Sequence, residues 1–135
     1  MDNDQFEKYI HEAIARVPAA VRERIENVAF VIENEPRAAR ATERSIKARG
    51  TLLGLYQGVP LPKRSAYYSG VLPDKITIFK QAIEHVAGPD VEHIRQTVHE
   101  VVHHEIAHYL GMDERAVRAW EQKRKIKNTR RTNLS

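Results

Sequence analysis

The chain has no cysteine among its 135 residues. That excludes a disulfide scaffold and every cysteine-based metal or redox site, so a metal, if one is bound, must be held by histidine and carboxylate alone. Long apolar runs are missing too, which leaves no candidate transmembrane segment. The first residues, Met1-Asp2-Asn3-Asp4-Gln5, are acidic and polar and lack the basic and apolar regions of a secretory leader. A cytoplasmic protein with no membrane contact is the expectation. Acids and bases are both plentiful, but not evenly placed. Residues 121–135 hold six bases and one acid, or +5, while the 16 bases and 17 acids before them leave −1. The basicity belongs to the tail. Such a tail can make a weak, salt-sensitive contact with a polyanion, although no aromatic residue is interleaved there for base stacking.

What is present is a body of about 120 residues, enough for one modest core. Phe6, Ile10, Ala13, Ile14 and Val17 stand at helical spacing over 4–16, and Pro18 ends that helix. A second short helix is expected over 19–26. Val28-Ala29-Phe30-Val31-Ile32 reads as a buried strand, followed from Glu35 to Gly50 by a polar excursion with no strand assigned, a short surface helix being the alternative. Thr51–Gln57 and 75–80 read as two more strands, separated by a long Gly- and Pro-bearing loop over 58–70. After Gly88-Pro89-Asp90 a helix runs over about 91–110. Ile94, Val98, Val101, Val102, Ile106 and Leu110 cover a broad face of it, which makes it central. Gly111 ends it, and Asp113 is the N-cap of an expected last helix containing Ala116, Val117 and Trp120.

That helix carries His104-Glu105-Ile106-Ala107-His108. Histidines four apart lie roughly 40° from each other around a helix axis, so both imidazoles can reach one metal ion. A carboxylate next to the first of them is placed to accept a proton from a metal-activated water and pass it to a leaving group. The string points to a zinc-dependent hydrolase with His104 and His108 as ligands and Glu105 as general base. A second match, His99-Glu100-Val101-Val102-His103, overlaps it. Its histidines fall near 220° and 260° when His104 is set at zero, so the two pairs cannot serve one metal. Only the downstream pair is followed by a glycine that can stop the helix and turn the chain. His99 and His103 are therefore read as packed or solvent-facing helix residues.

Several stretches resemble the small bacterial zincin-like metallopeptidases: Asn27 to Glu35, Leu52 to Leu61, Tyr68 to Phe79, and His104 through Arg115. The resemblance spans about residues 5–120 and leaves out the basic tail. It implies a single α+β domain over 1–120, with a small mixed sheet packed against the motif helix, and a flexible tail over 121–135. It also implies one zinc ion held by the two histidines and an acidic third ligand after Gly111. The spacing HExxHxxGxx(D/E) falls on Glu114; Asp113 is one residue early, and both have helix-start roles of their own. No methionine follows Met112, against the metzincin pattern. Tyr67, Tyr68, Tyr109 and Arg115 are candidate donors to an oxyanion. The implied function is hydrolysis of a peptide or protein substrate. The alternative is a weak or inactive metal-binding module on the same scaffold that uses the tail to bind nucleic acid or protein.

Overall fold

A computed structural model of the chain describes residues 1–36, 45–48, 51–58 and 74–111, together with Arg115 and Ala119; for 45–48 and Thr51 it describes the backbone. The α+β architecture expected from the sequence is what these residues form. Helix α1 (Asn3–Ala15) starts where the Asp2 carboxylate accepts a hydrogen bond from the Gln5 amide at 2.8 Å, satisfying one of the donors that a helix start leaves open. Its Phe6, Tyr9, Ile10 and Ala13 are buried, as their spacing requires. Pro18 follows and opens a short helix α2 (Ala19–Arg24).

Four strands make one mixed sheet. They are β1 (Val28–Glu33), β2 (Ser45–Ala48), β3 (Thr51–Gln57) and β4 (Asp74–Phe79), in the spatial order β1-β4-β3-β2. β1 runs parallel to β4, with Phe30 opposite Ile76 and Ile32 opposite Ile78; β3 is antiparallel to both β4 and β2. β4 is central and its Ile76, Ile78 and Phe79 are fully buried, each contributing on the order of 1.5–3 kcal/mol of transfer free energy.

Three sequence expectations change. β1 is an edge strand and only half-buried beyond Val28, because an apolar run shows strand propensity and not position in a sheet. Inside the polar excursion lies β2, the opposite edge, whose pairing with β3 is a backbone matter that needs little apolar side chain. A helix not anticipated, α3 (Lys80–Ala87), leaves β4 directly, with Phe79 as a cap that makes no side-chain hydrogen bond. Residues 37–44 and 49–50 of the excursion, the loop at 58–70 after Gly58 and the last helix lie outside the described residues, apart from Arg115 and Ala119, which are helical and exposed.

Helix α4 (Val91–Tyr109) is the centre of the domain. The Asp90 carboxylate accepts from the Glu92 amide at 3.0 Å to start it, and Gly111, at φ 79°, ends it. That positive φ is one an L side chain adopts only under strain. Ile94, Val98, Val101, Val102 and Ile106 are buried as expected. α4 packs on β3 and β4 along one side and on α1 along another. Among the described residues no helix is long and apolar enough to cross a membrane.

Candidate metal centre

The last two turns of α4 are almost wholly inaccessible. His104 is 8%, His108 4% and Glu105 0% exposed. The two rings lie edge to face, with centroids 4.6 Å apart and planes at 82°, so the helical spacing does bring both imidazoles to one place. Nδ1 of His108 stands 3.4 Å from a carboxylate oxygen of Glu105. With a proton on Nδ1 pointing at that carboxylate, the neutral ring carries its lone pair on Nε2, the tautomer a metal ligand needs. A fully buried carboxylate is costly unless it is paired or turned toward a cation. Two imidazoles in contact offer a pair of borderline-soft nitrogen donors, a type that zinc accepts. His104 and His108 are residues of the right type, on the same side of α4, to hold a zinc ion.

The third position is not filled from the described residues, which contain no group of three potential ligands. Glu114 and its alternative Asp113 both lie outside them. Gly111 closes the helix: its amide donates to the His108 carbonyl at 2.9 Å, and its φ is 79°.

The upstream histidines face the other way, as the helical wheel requires. His103 is 2% and His99 6% exposed, so of the two roles expected for them the packed one applies. His103 places Nε2 2.7 Å from the carbonyl oxygen of Ala13, a short bond that ties α4 to α1. His99 stands 3.4 Å from a carboxylate oxygen of Glu12, whose same oxygen accepts from Nε of Arg95 at 2.8 Å. The first HExxH string is thus the docking face for α1.

Among the candidate oxyanion donors, Tyr109 is 1% exposed and its hydroxyl donates to the Arg24 carbonyl at 3.0 Å; that bond closes α4 against the end of α2. Arg115 is exposed, and Tyr67 and Tyr68 lie outside the described residues. A buried acid that no local pattern marks lies nearby in the sheet. Asp74, 2% exposed at the start of β4, accepts a hydrogen bond from the Tyr56 hydroxyl at 3.0 Å, and the Tyr56 ring meets the Tyr109 ring edge-on at 5.8 Å.

A family model described as zincin-like metallopeptidase matches residues 25–124, which takes in β1 through the motif helix and the acids beyond Gly111. A comparison with curated proteins finds no match.

Proposed function

This chain belongs to the zincin-like metallopeptidases, and from that premise we propose that it is a zinc-dependent peptide hydrolase with Glu105 as its general base. The observation that carries the reading is the buried contact of His104, His108 and Glu105 on two turns of one helix. His104 and His108 would hold a single zinc ion, with Glu114 as the third ligand. When bound, the metal supplies Lewis acidity, lowering the pKa of a water and polarising the scissile carbonyl. Glu105 does the proton work. Its carboxylate takes a proton from the attacking water and delivers it to the nitrogen of the leaving amine. Its side chain cannot swing into solvent, which keeps the proton acceptor at a fixed place relative to the two imidazoles. With its proton on Nδ1, facing Glu105 at 3.4 Å, His108 would keep the lone pair of Nε2 available to the metal.

The domain is proposed to span 1–120, in the cytoplasm, with 121–135 as a separate basic appendage. A second reading, a weak or inactive module that binds a polyanion or protein, draws on that appendage's +5 charge. Retention of Glu105 favours hydrolysis, because metal storage has no use for a general base. The test is Glu105→Gln in the full chain. Zinc content stays at the wild-type level, and hydrolysis of a peptide library falls by about 10²–10⁴-fold, the usual contribution of a general base. A variant that cleaves as fast as wild type contradicts the assignment.

A further inference from the structure

The first HExxH string is not used by the hydrolytic reading, and its first histidine lies in an unusual place. His99 sits between α4 and α1, 6% exposed. From α1 it is faced by Glu12 and by Arg16, and along α4 by Arg95 and the ring of His103, 6.3 Å away between centroids. Glu12 is the only acid among these, and it is already engaged. Its Oε2 accepts from Nε of Arg95 at 2.8 Å, and Arg95 is braced from behind by Glu92 at 3.1 Å. His99 Nε2 comes within 3.4 Å of the same oxygen without reaching hydrogen-bond geometry. The neutral ring fits this gap. A protonated ring would bring a third cation beside Arg16 and Arg95 into a place with little water.

We propose that Glu12, Arg95 and His99 form an acid-sensitive joint that locks α1 onto the helix carrying His104, Glu105 and His108, and that protonation of His99 releases α1. The direction follows from the environment. Burial first, and then the charges of Arg16 and Arg95, hold the His99 imidazole below its ordinary range, with Glu12 opposing. A base harder to protonate when folded than when unfolded makes the unfolded chain the better proton acceptor. The stability it contributes is complete above the unfolded value of about 6.5 and is lost as pH falls through that value to the folded one. Glu12 follows at lower pH. The hydrogen bond from Arg95 holds its carboxyl below the usual range, so its share is present above about 4.5 and is lost below it. Of these two groups, His99 therefore responds first as the pH falls. The remaining ties across this interface, the His103 bond to Ala13 and the apolar packing of Phe6, Ile10 and Ala13, make opening a local event rather than global unfolding. The effect on the site rests on the hydrolase reading; the joint itself does not.

The experiment is hydrogen exchange across α1 in the full chain at pH 7.5 and 5.5, corrected for intrinsic exchange, with zinc retention followed in the same samples. Wild type loses protection of α1 at pH 5.5, and His99→Gln does not. Ring NMR places the His99 titration below 6.5, moves it upward in Arg16→Gln, an exposed position, and downward in Glu12→Gln. Zinc leaves the wild type at a higher pH than it leaves His99→Gln. Equal loss of α1 protection in wild type and His99→Gln, or a His99 titration at or above 6.5, overturns the joint. Should His99→Gln fail to fold, the direction of the Arg16→Gln shift decides. Equal zinc retention in the two proteins overturns the link to the site. Zinc that binds at no pH refutes the hydrolase reading and leaves the exchange result standing.

Discussion

At the scale of single residues, the site depends on neighbours that differ by one position. His103 and His104 are adjacent in the chain, yet one bonds the Ala13 carbonyl on α1 and the other meets His108. A helix turns 100° per residue, so no drift of the helix axis can exchange their roles. Gly58 shows the same sensitivity. It has φ +148°, and a Cβ there would overlap the Asp74 carboxylate that Tyr56 holds. We expect Gly58→Ala to destabilise the protein by about 1–3 kcal/mol through backbone strain and displacement of Asp74; urea unfolding against wild type measures this. An unchanged midpoint would show that Asp74 moves aside at no cost.

At the scale of elements, α4 was the most legible part of the sequence. The Gly88-Pro89-Asp90 break before it, six apolar residues over a broad face and a glycine stop all describe the same helix, and each is local. The edge strand β2 was not legible, since Ser45-Ile46-Lys47-Ala48 has one large apolar side chain and is held by its partner β3. α3 was missed for a related reason: Lys80 continues straight from Phe79 with no turn residue or side-chain cap to mark the change. The histidine pairs could be sorted by angle alone, but the partner of the upstream pair could not. Glu12 and Ala13 come to His99 and His103 from some 90 residues away, and nothing in the local pattern names them. This contact has a measurable weight. His103→Leu fills the space but removes the donor to Ala13, so we expect a loss of about 1–2 kcal/mol in unfolding free energy, with zinc stoichiometry kept because His104 and His108 remain on their own face. Loss of zinc with unchanged stability would mean that His103 serves the metal instead.

At the scale of the whole molecule, the charge divides the chain into a near-neutral body of 120 residues and a basic segment after it. The proposed hydrolytic parts all lie in the body. Deleting residues 122–135 is expected to abolish any salt-sensitive binding to a nucleic acid and to leave peptide hydrolysis unchanged, which binding titrations at two salt concentrations and a peptide assay together check. Hydrolysis that disappears with the tail would place part of the substrate site there. The match to the zincin-like metallopeptidases runs from residue 25 to 124, so α1 lies before it even though α1 covers one side of the motif helix. That helix has two opposed faces, one that meets α1 and one on which His104 and His108 are proposed to hold zinc. The direct test is metal content by mass spectrometry of protein purified without a histidine tag, beside His108→Ala. Close to one equivalent of zinc is expected in the wild type and almost none in the variant; no zinc in the wild type even when it is offered, or equal zinc in both, would contradict this assignment.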